Sequence, residues 1–303
     1  MSTLAKSEVL GISVHQFPRY GIAGVLIIIL SEVLLFADVK IIGIYFTPLV
    51  WTGYILFIDA LNYRLSVAYA PKLQRRSGTS LLCSRRLEFL LILPWSIVCW
   101  LIFEAYNLHL RNWSYIGLPE NVILRYFGYL WSFATIFPAI LETAELFQNI
   151  FSYRQRSSFK ISQGFLIALS IIGACCLIFP LLASGESALK LFGLVWIGFF
   201  LLLDPMNYFM KGKSVLREME RGDYSLFTSL VLSGVVCGIL WEFWNYWAEA
   251  KWHYSVPLSF AGPKIFEMPL VGYLGFVPFA LECYAMQQFL ITMISRLFQR
   301  SPQ

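Results

Sequence analysis

Charged residues are scarce in this chain of 303 residues: Asp, Glu, Lys and Arg together make up 14%. Hydrophobic residues make up 58%, and the mean hydropathy is +0.66. Ordinary soluble domains carry roughly 25% charged residues. The composition therefore excludes a typical soluble globular protein and indicates a membrane protein.

Cysteine and histidine are also scarce, with six and three residues respectively. The cysteines are scattered, and neither residue type has the spacing of a disulfide framework or a zinc site. We therefore expect no metal and no cofactor. The formal net charge of +5 does not indicate nucleic-acid binding, because membrane topology explains where the basic residues lie.

Long apolar runs, in contrast, are abundant. A helix that crosses a bilayer needs about 20 mostly apolar residues, so the pattern predicts an all-α polytopic membrane protein. The eight predicted transmembrane helices lie near residues 20–37, 41–63, 87–108, 122–147, 164–183, 189–209, 225–247 and 266–292.

Basic residues indicate the side of the membrane on which each loop lies. They cluster after predicted spans two, four and six and are few in the opposite loops. Since cytoplasmic loops retain Lys and Arg, both termini are expected in the cytoplasm. We expect a multi-pass protein of a bacterial inner (plasma) membrane, with the lipid bilayer as its surroundings and its oligomeric state left open.

Short motifs recur in the same order in the two halves of the chain. Their order predicts two tandem parallel repeats of about four helices, residues 1–160 and 161–303, related by an axis along the membrane normal. The recurring pairs are Asp59-x-x-Asn62 with Asp204-x-x-Asn207, Glu104-x-x-Asn107 with Glu242-x-x-Asn245, Trp113-x-Tyr115 with Trp252-x-Tyr254, and Pro138-x-x-x-Glu142 with Pro278-x-x-x-Glu282.

The carboxyl groups of these motifs lie within apolar runs or at their ends. Placing an ionised carboxylate at mid-bilayer costs roughly 2.5–3.5 kcal/mol on insertion scales, so we expect these residues to face the bundle interior. The candidate catalytic residues are Asp59, Glu104, Glu142, Asp204, Glu242 and Glu282. In the structural alternative, they and the neighbouring amides of Asn62, Asn107, Asn207 and Asn245 hold helices together in lipid.

Proline precedes two of these glutamates by four residues. Pro138 and Pro278 each remove a backbone donor, so we expect a helix kink before Glu142 and before Glu282. A kink would open space beside a buried carboxyl, as a general acid requires.

Aromatic residues crowd around Glu242 in the stretch "WEFWNYWAEAKWHYSVP", residues 241–257. They fit an interfacial belt at headgroup level, or a pocket whose ring faces stabilise a cation. As candidate substrate-binding residues we take Asn62, Asn107, Trp113, Tyr115, Asn207, Trp244, Asn245, Trp252 and Tyr254.

The order of an acidic residue, a Trp-x-Tyr stretch and then proline with Glu resembles the integral membrane lycopene cyclases, which occur as paired subunits or as one fused tandem domain. "WEFWNYWAEAKWHYSVP" with "GYLGFVPFALE" carries the resemblance in the second half, and "FEAYNLHLRNWSYIGLP" with "GYLWSFATIFPAILETAE" carries it in the first. The family has adjacent acidic residues closely after the proline, whereas here three residues lie between proline and glutamate.

The resemblance implies a proton-initiated, redox-neutral cyclisation of an isoprenoid substrate, such as a carotenoid end group, without a metal. It implies Glu142 and Glu282 as acid and base, with Asp59, Asp204, Glu104 and Glu242 in support.

Three other functions fit the same residues. Asp-x-x-Asn near the cytoplasmic face could hold Mg²⁺ against a diphosphate in prenyl transfer. Repeats, kinked helices and carboxylates at mid-membrane are also typical of proton-coupled transporters. A non-catalytic lipid-binding scaffold is the third alternative.

Overall fold

The computed structural model describes residues 17–73, 78–151, 156–255 and 263–299, so the last two residues of the aromatic stretch 241–257 lie outside the described residues. Most of the described residues are helical. In chain order the helices are α1 (Arg19–Phe36), α2 (Lys40–Leu73), α3 (Leu81–Ser84), α4 (Arg86–Leu110), α5 (Val122–Ile150), α6 (Gln163–Leu182), α7 (Glu186–Leu189), α8 (Phe192–Phe209), α9 (Val215–Glu220), α10 (Ser225–Trp247), α11 (Leu270–Tyr273) and α12 (Phe276–Gln299).

Eight helical segments are long and apolar enough to cross a membrane, as the sequence predicts. They are α1, α2, α4, α5, α6, α8, α10 and the segment that α11 and α12 form together. Their bounds agree with the predicted spans within a few residues, and the last differs most. Residues 266–269 of the predicted eighth span belong to a hairpin, because β3 (Lys264–Ile265) pairs there with β4 (Met268–Pro269).

Two strands on one side of the helices connect the two halves of the chain. β1 (Trp113–Ile116) follows α4, β2 (Lys251–Tyr254) follows α10, and the two pair antiparallel. The short helices α3 and α9 follow α2 and α8 at the opposite ends of the spans. We call these two ends of the molecule the strand side and the short-helix side.

Glycines set the closest helix crossings. A Cβ placed on Gly24 of α1 would lie 2.5 Å from the carbonyl oxygen of Gly53 in α2. In the second half, a Cβ on Gly173 of α6 would lie 2.8 Å from the carbonyl oxygen of Gly198 in α8. Small residues allow backbones to approach in a membrane, where packing drives helix association. α1 and α6 are thereby fixed at the periphery, with few of their residues buried.

The two prolines differ in their helical positions. Pro138 lies inside the continuous helix α5, where Ser96 Oγ donates to the Phe133 carbonyl (2.5 Å) and accepts from the Phe137 amide (3.1 Å). Pro278 is the third residue of α12, a position at which a helix leaves backbone amides unpaired in any case. The expected kink at Pro278 is therefore replaced by a helix start.

Candidate functional site

The strand pair brings together the two aromatic segments that the sequence analysis singled out. Trp113 lies opposite Tyr254, and Tyr115 lies opposite Trp252. Each Trp-x-Tyr motif therefore packs against its counterpart from the other half of the chain. The glutamates that precede the motifs, on α4 and α10, come to the same side of the protein.

Glu104 is held by three donors on one oxygen. Its Oε1 accepts hydrogen bonds from the Tyr115 hydroxyl (2.5 Å) and from the indole nitrogens of Trp100 and Trp113 (3.0 Å each). Burial, followed by the nearby Glu104 carboxylate, raises the pKa of Tyr115 well above its ordinary value. The phenol therefore stays protonated at neutral pH, and three hydrogen bonds fix the position of Glu104 Oε1.

Glu242 has fewer partners than Glu104 and is fully buried. Its Oε1 accepts from the Tyr254 hydroxyl (2.6 Å), whose oxygen accepts from Trp252 Nε1 (2.8 Å). Its Oε2 has no hydrogen-bond partner among the described residues. Burial, and after it the Glu242 carboxyl, raises the pKa of Tyr254 well above the usual value. One oxygen of Glu242 is thus available to a proton.

Asn107 and Asn245 fix the path of the chain from helix to strand. Asn107 Nδ2 donates to the Trp113 carbonyl (2.9 Å), and its Oδ1 accepts from the Asn112 and Trp113 amides (2.9 and 3.1 Å). Asn245 Nδ2 donates to the Trp252 carbonyl (3.0 Å), and its Oδ1 accepts from the amide of the same residue (3.0 Å). These amides, which the sequence analysis takes as candidate substrate-binding groups, position the strands.

The larger aromatic cavity, of about 330 Å³, lies against the strands. Its wall comes from α4, α8, α10, α11, α12 and both strands, and its volume falls within the roughly 300–1,000 Å³ of small-molecule sites. The rings that line it are those of Trp100, Trp113, Tyr115, Phe192, Trp196, Trp241, Trp252, Tyr254, Phe276 and Phe279. Tyr254 therefore lies between this space and Glu242.

The smaller aromatic cavity, of about 70 Å³, lies between α2, α5 and the same wall of rings. It shares Trp100, Tyr115, Trp241 and Trp252 with the larger cavity. By this measure one water needs about 10–15 Å³, so the space accommodates a few water molecules at most. Tyr45, whose hydroxyl donates to the Leu124 carbonyl (3.0 Å), forms part of the wall and ties α2 to α5.

The rings between the two cavities form a continuous cluster. The ring centroids of Trp100 and Trp241 are 5.7 Å apart, and those of Trp51 and Trp241 are 5.8 Å apart. Phe103 of the first half stacks on Trp196 of the second at 5.3 Å. Aromatic pairs at these distances are worth about 0.5–1.5 kcal/mol beyond their burial, so the wall is a rigid part of the core.

Glu282 lies one helical turn from the larger aromatic cavity. Phe279, which lines the cavity, precedes it by three residues on α12, and residues three apart share a helix face. The Glu282 side chain is fully buried, and its Oε1 accepts from the Phe199 amide (2.9 Å). Its Oε2 is unpaired within the described part of the chain.

Glu142 lies in a different setting, toward the short-helix side. The Asn62 amide donates both to its Oε2 (2.5 Å) and to its backbone carbonyl (2.9 Å). In the second half, Asn207 Nδ2 donates to the carbonyl of Ala285 (2.9 Å). By the contacts of the two asparagines, the residue equivalent to Glu142 in the second half is Ala285. By the proline motif, the equivalent residue is Glu282. The difference of three residues corresponds to about one helical turn.

Asp59 and Asp204 anchor the starts of the short helices. The donors to Asp59 are the Tyr20 hydroxyl (2.6 Å), Ser80 Oγ (3.0 Å) and the Leu82 amide (2.9 Å), and those to Asp204 are Ser214 Oγ (2.8 Å) and the amides of Val215 (2.8 Å) and Leu216 (3.0 Å). Ser80 and Ser214 are the N-cap residues of α3 and α9. Both oxygens of each aspartate are therefore occupied, which leaves neither free for a Mg²⁺-diphosphate.

Trp244 lines neither aromatic cavity. Its indole nitrogen donates to Glu32 Oε1 in α1 (3.3 Å), and its ring packs edge-on against Trp51 at 5.0 Å. This candidate for substrate binding therefore connects α10 with α1 and α2.

A polar cavity of about 450 Å³ opens on the short-helix side, between the end of α5 and the middle of α12. Arg85 binds Glu145 through its guanidinium, and Glu88 lies 3.9 Å from the same group. The charged and amide side chains that line it are those of Arg85, Glu88, Glu145, Gln148, Asn149, Lys213, Glu218, Asp223, Gln287 and Gln288. The sequence analysis did not identify this cavity.

Trp51 and Trp196 line the aromatic cavities but are not among the predicted site residues. The sequence nevertheless contains a pattern that identifies both. Trp51-x-Gly53 precedes Asp59 by eight residues, and Trp196-x-Gly198 precedes Asp204 by the same number. Extending the recurring motif upstream would have identified both rings. The polar cavity has no comparable signal, because its lining residues come from five separate segments.

Comparison of the chain with protein-family models, curated proteins and solved structures finds no match. The geometry alone establishes a mostly helical chain whose eight apolar segments are compatible with a multi-pass membrane protein.

Proposed function

We propose that the protein is an integral membrane cyclase or isomerase that acts on an isoprenoid end group held in the larger aromatic cavity. The observation that carries this proposal is the position of the Glu242–Tyr254 pair at the edge of a cavity lined by ten aromatic rings. A cavity of this kind fits an apolar chain end and offers few partners to a polar solute.

The chemistry of such a reaction matches these residues. A proton adds to one carbon of a double bond, and the electrons of a second double bond form the new carbon–carbon bond. A base then removes a neighbouring proton, so the reaction is redox-neutral. Ring faces stabilise the intermediate cation, and exclusion of water protects it.

Within this proposal, Glu242 is the proton donor, Tyr254 holds its carboxyl at the cavity edge, and Glu282 is the base. Each glutamate has an oxygen without a partner in the described part of the chain. Trp113, Tyr115 and Trp252 contact the substrate, since all three line the cavity. This assignment moves the acid from Glu142, which the resemblance implies, to Glu242.

We also propose that the two halves, residues 1–160 and 161–303, arose by duplication and are related by an axis along the membrane normal. Three pairs of contacts support this: the glycine crossings of α1 with α2 and α6 with α8, the aspartate anchors of α3 and α9, and the antiparallel pairing of β1 with β2. The basic loops indicate that the short-helix side lies in the cytoplasm. Since the number of spans is even, both termini lie on that same side of a bacterial inner membrane.

The test is conversion of lycopene by the purified protein in lipid nanodiscs, in D₂O, followed by mass spectrometry. We expect a cyclic product that carries one deuterium for each ring formed, since the added proton comes from solvent through Glu242. A well-folded Glu242→Gln variant should lose this product, whereas Glu120→Gln, an exposed residue outside both aromatic cavities, should keep it. Equal conversion by Glu242→Gln and the parent would refute the assignment.

A proton-coupled transporter is the second candidate, favoured by the polar cavity on the short-helix side. It predicts substrate-dependent proton flux into liposomes that responds to membrane potential, and cyclisation predicts none. A pH-sensitive dye inside the liposomes separates the two functions.

A further inference from the structure

The polar cavity has the size and lining of a water-filled vestibule. Its volume of about 450 Å³ far exceeds the roughly 10–15 Å³ that one water requires. Charged and amide groups line it, and polar cavities of this size hold water. It opens on the side of the membrane where the short helices lie, and both halves of the chain contribute to its wall.

Hydrogen bonds lead from this vestibule to a buried carboxyl. Asn149, on the cavity wall, donates to Asn62 Oδ1 (3.2 Å), and Asn62 donates to Glu142 Oε2 (2.5 Å). Glu145, one turn further along α5, faces the cavity and binds Arg85. One layer of side chains therefore separates Glu142 from the water.

The Glu142 carboxyl has the surroundings of a proton-binding group. It is fully buried, and its Oε1 has no partner in the described chain. The equally buried Asp59 lies one turn before Asn62, the residue that donates to Glu142, on the same helix. Asp59 receives hydrogen bonds from three donors, whereas Glu142 retains an oxygen that a proton can occupy.

The other charged or titratable groups around Glu142 lie on α2, α4, α5, α10 and the turn before α4. They are Arg85 in that turn, Glu88 on α4, Glu145 on α5, and Tyr54 and Cys237, which reach the adjacent Thr143 from α2 and α10. Arg85 is the one cation among them, and its ion pair with Glu145, three residues from Glu142 on α5, forms part of the cavity wall.

We propose that Glu142 is a proton-exchange site supplied by the water of the polar cavity, with the Arg85–Glu145 ion pair as the gate between them. The inference goes beyond the proposed cyclisation, because proton exchange at Glu142 requires no substrate.

Infrared spectroscopy of the protein in nanodiscs tests the proposal. Glu142→Gln identifies the carbonyl-stretch band of the Glu142 carboxyl by its loss. On transfer to D₂O we expect the Glu142 band to shift about 10-fold faster or more than the amide II band of the buried helices decays, because exchange at a site without water access waits for local opening. The buried helix amides are the internal control, since they exchange in the same sample.

Two variants then test the route. Asn149→Leu should slow exchange at Glu142 and leave the helix amides unchanged, whereas Gln288→Leu, on the same cavity wall but outside the Asn149–Asn62 hydrogen bond, should alter neither. Arg85→Met should speed exchange at Glu142. The proposal is overturned if the parent protein shows no Glu142 band, or if its Glu142 band shifts as slowly as the amide II band decays. The comparison within the parent remains decisive even if a variant fails to fold.

Discussion

The two aromatic cavities share one wall, yet their volumes are about 330 and 70 Å³. Gly193 borders the larger cavity, whereas Pro48, which precedes it by the same 145 residues that separate Asp59 from Asp204, borders the smaller one. A Cβ placed on Gly193 would meet no atom within 4 Å. At this position, one half of the chain therefore leaves space for a ligand, while the other half places a proline ring beside the shared wall.

The glutamates beside the two cavities differ in how many hydrogen bonds they accept. Glu104 receives three donors, whereas Glu242 receives one and retains an unpaired oxygen in the described structure. The less satisfied glutamate lies beside the larger cavity, as expected if that half carries the chemistry.

The largest effect is expected from filling the larger cavity. Gly193→Phe should place a ring in open space and reduce substrate conversion about 100-fold or more, because a filled pocket has no room for ligand. Gly164→Phe is the control, since a Cβ there also meets nothing within 4 Å but lies outside both cavities. Product formation is measured in variants whose thermal stability is unchanged. An equal loss of conversion in both variants would contradict the distinction between the two cavities.

A smaller effect is expected from exchanging the acids. Glu242→Gln should lower the cyclisation rate about 10²–10⁴-fold, the usual contribution of general acid–base catalysis. Glu104→Gln should lower it less than about 10-fold, because this carboxyl holds the wall without donating a proton. Single-turnover rates measure both variants, and a larger loss in Glu104→Gln would assign the chemistry to the other half.

The aspartate anchors should respond alike in the two halves. Asp59→Ala and Asp204→Ala each leave three donors without their acceptor, so each should destabilise the protein by about 3 kcal/mol or more. Thermal unfolding in detergent measures the loss. A marked inequality between the two variants would show that α3 and α9 are held differently, against the matched bonding seen in the structure.

The smallest effect concerns a hydroxyl found in one half alone. The Tyr54 hydroxyl bonds to Thr143 Oγ1 (2.9 Å), whereas Phe199, which likewise follows a Trp-x-Gly motif by one residue, has none. Tyr54→Phe should therefore cost about 1 kcal/mol, the net worth of one hydrogen bond. Phe57→Leu in the same helix is a packing control for denaturation measured by tryptophan fluorescence. No loss in Tyr54→Phe would mean that the hydroxyl contributes nothing to stability.

The sequence predicts the spans well, because length and hydropathy determine which segments can cross a bilayer. It also predicts that Glu142, Glu242 and Glu282 are buried, since carboxyls in apolar runs avoid lipid. It fails at Pro278, where the same local pattern as at Pro138 starts a helix, because Leu274 and Gly275 interrupt the segment before it. Helix continuity there depends on tertiary packing.

The cavities illustrate a second reason for failure. Trp252 belongs to the second half but lines the smaller cavity of the first, and Tyr115 of the first half lines the larger cavity of the second. Such contacts depend on the register of two strands far apart in the chain, and a motif within one half cannot specify them.

The strand register has a consequence for ancestry. Ser114 lies opposite His253, and Trp113 and Tyr115 exchange partners symmetrically around that pair. An antiparallel pairing of like segments is the isologous contact of a twofold dimer. If the halves descend from one ancestor, that ancestor was a homodimer in which each subunit completed its neighbour's aromatic wall, and gene fusion later freed one site to lose its space while the other kept it.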